Sequence, residues 1–382
     1  MASQRLCDAM LPELSRYFEV GLAQAAQVVS MFAVVYGIAQ LFYGPLGDRV
    51  GKLKVIAFAT LLCSVASLLA MLAPSLSMLV LARMGMALGA AAIIPLTMAW
   101  VGDSLPQALH QETLARVGVG TTLGIVVGQL MGGLFSDTLG WRAAFAVIGL
   151  LFAGVMVLLM RTQRQPPMAS QPGPAASLQS GGVTQGFFQQ SLAIVLGPWS
   201  RVVLVVAVIE GSVGFGALAI WASHLHGRLG LSLTYAGMIV ALFGVGGMLY
   251  MAAARQMIRR WGQVGLVLWG TTLAALSSFV VAFAPHWAFT LPASLAAGFG
   301  FFMFHNTMQA NATQMTPEAR GTAVSLFASF LFLGQSLGVV IAAWLLSRIG
   351  SAPVVAGGGL GLWALGLVFA LALRRREAQG RD

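Results

Sequence analysis

Long apolar runs, separated by short clusters of glycine, proline and charge, dominate the chain. They fall at 25–46, 54–73, 77–101, 114–136, 142–160, 201–223, 233–254, 264–284, 287–311, 321–346 and 352–373. Crossing the hydrocarbon core of a bilayer takes roughly 20 apolar residues in a helix, and each run has about that length. The runs are continuous rather than alternating with period two, which selects helices over a barrel. The pattern predicts eleven membrane-spanning helices. A twelfth is suggested at the start, where Leu6, Ala9, Met10 and Leu11 lead into Pro12 and a polar turn. That stretch is too short to cross by itself.

Composition closes off the alternatives. Of 382 residues, 58% are hydrophobic and 8% charged, and the mean hydropathy is +0.85. A soluble domain carries about 25% charged residues, so this chain cannot cover a folded surface with solvated side chains, and a soluble enzyme is excluded. Disorder is excluded by the apolar content. Cys7 and Cys63 both sit in apolar stretches and offer neither a disulfide framework nor metal-ligand spacing. The net charge of +10 reads as basic cytoplasmic loops rather than as a nucleic-acid surface. Arg49, Lys52, Lys54, Arg116, Arg161, Arg164, Arg201, Arg255, Arg259, Arg260, Arg320 and Arg374–Arg376 fall at one end of the spans; the other end holds only Arg16, Arg142, Arg228 and Arg348. The rich end is expected to be cytoplasmic, with both termini inside and the protein in a bacterial inner membrane.

The longest hydrophilic stretch, from Arg161 to about Ser191, is rich in Pro, Gln, Ser and Gly and reads as a flexible linker. Internal repetition supports a division there. Arg49-Val50-Gly51 aligns with Arg260-Trp261-Gly262 at an offset of 211, Thr97-Met98 with Thr307-Met308 at 210, and Pro106 with Pro317 at 211. Gly128-Gln129 and Gly132 align with Gly334-Gln335 and Gly338 at 206. The expected organisation is therefore an N-terminal six-helix bundle (1–160), a cytoplasmic linker (161–198), a C-terminal six-helix bundle (199–373) and a tail (374–382). Since the seventh span starts near Arg201, the repeat puts the start of the first about ten residues ahead of Met1. The first helix is expected to lack its N-terminal half.

Between the second and third spans runs Gly44-Pro45-Leu46-Gly47-Asp48-Arg49-Val50-Gly51-Lys52-Leu53-Lys54. Asp48 and Arg49 there can pair across the cytoplasmic mouth. The stretch resembles the signature loop of the major facilitator superfamily, G-x-L-x-D-R-x-G-[RK]. The resemblance implies an all-α fold of two homologous six-helix bundles. It also implies a gating role for Gly44, Asp48, Arg49, Gly51 and Lys52, with the loop meeting the start of the eleventh span near Arg320 and Gly321. In the fifth span Gly120, Gly124, Gly128 and Gly132 recur every fourth residue, with Gly133 adjacent, a spacing that lines one face for close helix packing. Gly124-x-x-x-Gly128-Gln129-x-x-Gly132-Gly133 resembles the G-x-x-x-G-P-x-x-G-G signature of twelve-span drug:proton antiporters. Gln129 stands where that signature has proline, which removes an expected kink. Trp141-Arg142-x-x-Phe145 resembles the same subfamily.

Ionisable groups within the membrane are few. Arg83, in Leu81-Ala82-Arg83-Met84-Gly85, costs at least about 2.5 kcal/mol to insert and should face a cavity and a partner. Its alternative roles are coupling to a proton or substrate, snorkelling to the interface, or a purely structural pair. Asp8, Glu210 and His305 are the others. Burial disfavours the charged form of a carboxyl group, so Asp8 or Glu210 can be neutral in one conformation and ionised in another, as proton coupling requires. Each would equally suit a structural hydrogen bond, and Asp8 simple exposure at a frayed terminus. Gln129, Asn306, Gln309 and Gln335 are candidates to line a cavity or to join helices.

Other matches lack context. Gly334-Gln335-Ser336-Leu337-Gly338 fits G-x-S-x-G, but inside a membrane helix rather than a strand–turn–helix elbow. His224 and His226 lack further ligands nearby, and no phosphate-binding G-x-x-x-x-G-K-[ST] occurs. The expected function is secondary active transport by alternating access: proton-coupled efflux of a drug-like molecule or metabolite by a monomer, with no cofactor, metal or nucleic acid. The alternatives are an uptake symporter or facilitator for a polar metabolite, and an inactive truncated transporter.

Overall fold

The computed structural model describes residues 1–163, 183–316 and 319–379. Residues 164–182 of the expected linker, Pro317 of the repeat and the last three residues of the tail lie outside them. Among the described residues there are helices and no strand. In chain order the helices are α1 (Ala2–Arg5), α2 (Leu11–Tyr17), α3 (Leu22–Ala25), α4 (Gln27–Val50), α5 (Lys52–Met71), α6 (Leu76–Ser104), α7 (Gln107–Asp137), α8 (Trp141–Gln163), α9 (Val183–Leu196), α10 (Pro198–Glu210), α11 (Trp221–Leu229), α12 (Leu233–Phe283), α13 (Thr290–Ala312), α14 (Arg320–Ile349) and α15 (Ser351–Gln379). A π-helical segment, Gly211–Gly216, joins α10 to α11.

Ten of the described stretches are long and apolar enough to cross a membrane. The longest, α12, has 51 residues; at 1.5 Å per residue it would be about 75 Å long, more than twice the hydrocarbon core. It breaks at Gly262 (φ 61°, ψ −175°), a left-handed setting that a side chain would strain, and so supplies two crossings. The eleven crossings match the apolar runs to within a few residues. Outward-facing Phe58, Leu81, Leu150, Trp269 and Leu276 are well exposed, forming the apolar exterior that lipid covers. The protein is a multi-pass integral membrane protein.

Two expectations about the connecting segments change. Residues 183–196, read as linker, form α9, because Ile194 is buried with Leu204, Ala319, Ala323 and Leu326. The stretch around Asp8 is not an exposed, frayed terminus: Leu6, Cys7, Asp8, Ala9, Met10 and Leu11 are all buried.

The two halves repeat one packing device. A Cβ on Gly128 would meet the Ala2 carbonyl at 2.5 Å, and one on Gly132 would collide with the Leu6 carbonyl. In the second half, Cβ atoms on Gly334 and Gly338 would collide with the carbonyls of Val208 and Ser212. Positions 2 and 208, and 6 and 212, share the offset of 206 that relates Gln129 to Gln335. Thus α7 lies backbone to backbone on the first segment, and α14 on α10 and the π-segment. Gly124 packs against Met1 and Ala2, whereas Gly120 faces open space, so the stripe makes contact over three of its four expected turns. Gly133 instead faces the start of α12, where a Cβ would collide with the Leu233 carbonyl.

At the Lys/Arg-poor end the halves are joined by α7 against α12; α4 packs against α14 nearer the middle, where Tyr36 and Phe332 lie 4.3 Å apart. At the Lys/Arg-rich end, Gly44 and Gly321 both have open space where a side chain would be.

Candidate functional site at the interface of the halves

The first segment carries a polar cluster that the glycine stripe brings against α7. Arg5 Nη1 donates to Asp8 Oδ2 at 3.1 Å, with both side chains 1% exposed. Gln129 Nε2 donates to the same oxygen at 3.0 Å. The departure from the antiporter signature at this position therefore puts an amide donor on the membrane carboxylate. Gln4 Nε2 donates across the interface to Gln335 Oε1 at 3.3 Å, so both glutamines related by the repeat meet the first segment. Arg83 is fully buried, but its partners are carbonyls and not a carboxylate. It donates to the carbonyls of Val28 (3.2 Å), Ser3 (2.5 Å) and Gln4 (3.4 Å), and its guanidinium lies 4.1 Å from the Phe32 ring centre. The bonds to Ser3 and Gln4 satisfy carbonyls that the four-residue α1 cannot satisfy itself. Arg83 holds the first segment in place.

Across the interface, Glu210 ends α10 where the π-segment begins, the kind of interruption that often marks a functional position. Its side chain is fully buried, and Oε1 lies 2.8 Å from His305 Nδ1. The imidazole is surrounded by Phe215, Phe301, Phe302 and Phe327, with centroids 5.7–6.1 Å away and Phe301 stacked at 12°. Phe215 connects the clusters: the Arg5 guanidinium lies 4.5 Å from its ring centre on the side of the first half. Gln129, Asp8, Arg5, Phe215, His305 and Glu210 thus form one chain of contacts between the halves, and Gln4, next to Arg5 in sequence, makes a separate bond across the interface to Gln335. Four of its buried polar atoms, Arg5 Nε, Asp8 Oδ1, Gln129 Oε1 and Glu210 Oε2, have no partner.

Of the residues singled out in the sequence, Asp8, Gln129, Glu210, His305 and Gln335 come together here. Asn306 is half-buried beside His305, and Gln309 is exposed further toward the Lys/Arg-rich end. Arg5 and Gln4 were missed. The i,i+3 spacing of Arg5 and Asp8 was the available signal.

The signature stretch is largely helical: Gly44 to Val50 form the end of α4, and Gly51 (φ 102°) makes the turn into α5. Asp48 pairs with Lys52 at 2.9 Å rather than with Arg49, and Lys52 also reaches Asp103 at 2.5 Å. These links stay inside the first half. The start of α14, expected to receive this stretch, lies against α9 instead, with Thr322 Oγ1 donating to Gln190 Oε1 at 3.3 Å.

Residues 1–339 match the sequence model of the Major Facilitator Superfamily. The chain belongs to that superfamily. An uncharacterised facilitator-type transporter of Bacillus subtilis, YbcL, is 21% identical over 94% of this chain and 89% of its own length. Multidrug resistance protein D of Escherichia coli is 28% identical over 42% of this chain and 40% of its own. A probable sugar efflux transporter of Pasteurella multocida is 23% identical over 92% and 84%, respectively. A solved bacterial homolog of the human lysosomal transporter Spinster, inward-facing and unoccupied, superposes with a TM-score of 0.77 at 19% identity, over 97% of this chain and 92% of that one. A mutant of the nucleoside transporter NupG gives 0.76 at 11%, over 98% and 97%. At these identities the two structures speak for the fold, which is the facilitator fold of two six-helix bundles. This facilitator is a membrane transporter of small molecules.

Proposed function

We propose that this facilitator is a proton-coupled exporter of a small drug-like molecule or metabolite. Its halves (1–160 and 199–373) rock about the interface cluster to open alternately to either side. The observation that carries the reading is the pair of buried carboxylates facing the interface from opposite halves. Asp8 and Glu210 each have one oxygen bonded and one without a partner. A lone buried acceptor is satisfied when its carboxyl group takes a proton and donates, or when a substrate donates to it. The two events compete for one atom, which is the requirement for exchange. Relatives named for multidrug resistance, lincomycin resistance and sugar efflux favour the outward direction.

In this reading the Lys/Arg-rich end is cytoplasmic, both termini lie inside, and the protein works as a monomer in a bacterial inner membrane. The open space beside Gly44 and beside Gly321 fits an inward-open conformer. The 44–54 stretch closes on α14 only after α9 yields its place, and Arg83 couples by holding Ser3 and Gln4 beside Asp8.

The test uses inverted membrane vesicles with an inside-acid gradient, challenged with cationic drugs and small metabolites. Dissipation of the gradient by a substrate, abolished in Asp8→Asn or Glu210→Gln, is the expected result. Chain-dependent accumulation of a substrate in intact cells would replace export with uptake. Dissipation unchanged in both variants would remove the carboxylates from the mechanism.

A further inference from the structure

The last residue of α7 and the first residues of α12 belong to different halves and meet at the Lys/Arg-poor end. Asp137 Oδ2 accepts from the Thr234 N–H at 2.6 Å and from Thr234 Oγ1 at 2.6 Å, and Oδ1 accepts from the Leu233 N–H at 3.2 Å. Ser232 Oγ takes the next donor, the Tyr235 N–H, at 3.3 Å. The first amides of a helix have no partner within it, and the positive end of its dipole favours a carboxylate. Here α12 caps one amide itself and receives the cap for two others from the opposite half.

The surrounding contacts leave no slack. Gly133, one turn before Asp137, faces the Leu233 carbonyl, and a Cβ on Gly237 would meet the Gln129 carbonyl at 2.7 Å. The two backbones touch, so a small separation of the halves breaks all three bonds to Asp137. A cavity of about 290 Å³ lies beside them, bordered by Glu13, Arg16, Ser136, Asp137, His226 and Leu233. Arg16 does not compete for Asp137, because it is paired with Glu13.

We propose that Asp137 is a conformational latch: a helix cap lent by one half to the other only while this end is closed. A contact present in one conformer alone shifts the equilibrium by its full free energy. Asp137 therefore sets how much of the population is closed here, without touching substrate or proton. The inference needs only a transporter that alternates, and stands whether or not the Asp8–Glu210 reading does.

The experiment tracks a cysteine introduced at Ala236, fully buried one turn into α12, with an impermeant maleimide applied from the Lys/Arg-poor side. A second cysteine, at Gly321, reports the other end in separate samples labelled from the Lys/Arg-rich side. Loss of a helix cap corresponds to about a fivefold shift in equilibrium, so Asp137→Ala should speed labelling at position 236 by about that factor and slow it at 321. Asp137→Asn and Thr234→Val, milder changes that keep the shape, should give smaller shifts of the same sign. Unchanged labelling in all three variants would overturn the latch. So would faster labelling at both ends together, which reports general loosening.

Discussion

The first segment on α7 and α10 on α14 are two versions of one arrangement, with different chemistry in the same frame. In both, a pair of glycines four residues apart lets a helix lie on the carbonyls of its neighbour, and a glutamine comes directly after the first glycine. In the first half the carboxylate meets a permanent cation: Asp8 has Arg5 and the amide of Gln129. In the second, Glu210 has His305, a partner that is charged only when protonated, inside a shell of phenyl rings. The repeat supplies the backbone geometry twice, and the side chains hung on it decide whether the buried acid faces a guanidinium and an amide or an imidazole among phenyl rings. Gln4 occupies the position equivalent to Glu210 at the offset of 206, and it spends its amide on the opposite half.

The sharpest break in this comparison is Arg5→Ala. It leaves Asp8 as a buried charge with one amide donor, and removing one partner of a buried pair typically costs about 3–5 kcal/mol; a fall in thermal stability of detergent-solubilised protein should show it. His305→Ala should cost less than that, since it strips Glu210 of a partner that can be neutral, and the difference between the two melting shifts measures how unlike the pairs are. Gln129→Leu removes one hydrogen bond to a charged group, worth about 1.5–3 kcal/mol. It should lower the melting temperature of the detergent-solubilised protein, by less than Arg5→Ala does. Gly132→Ala and Gly338→Ala probe the shared frame: both should destabilise by about 1–3 kcal/mol through overpacking, while Gly120→Ala, in open space, should not. The smallest effect belongs to Lys52→Ala. Its partners Asp48 and Asp103 are mostly exposed, so stability should move by no more than about 1 kcal/mol.

Most of the fold was legible because lipid is an unforgiving solvent. Each crossing must be continuously apolar, and the eleven runs came out within a few residues of the helices. The offset near 210 exposed the two halves, and the shift to 206 at Gly128 and Gly334 carried the packing register. What escaped depended on contacts distant in sequence. Arg5 and Gln4 lie in a segment too short to show periodicity, and their partners are up to 331 residues away. The position of 183–196 at the end of the Pro-, Gln-, Ser- and Gly-rich stretch concealed α9, in which Ile194 is buried against α14. Asp137 gave no signal because its role depends on the start of a helix 97 residues further on. Arg83 was visible as an expense, but its partners, being carbonyls, have no residue type to betray them.

The six-residue π-segment after Glu210 has a consequence for how this site could be retuned. Each residue of an α-helix turns the chain by about 100°, so the widened turn sets the angle between α10 on one side and α11 on the other. Glu210 precedes it and Phe215 lies within it, one facing His305 and the other lying between His305 and Arg5. Deleting a single residue there would let the segment relax to an ordinary helix and swing one of these groups about a quarter turn away from the other. All side chains would still be present, yet the path from Arg5 to Glu210 would be cut. The length of one helical turn is in that sense as much a part of the site as any of its side chains.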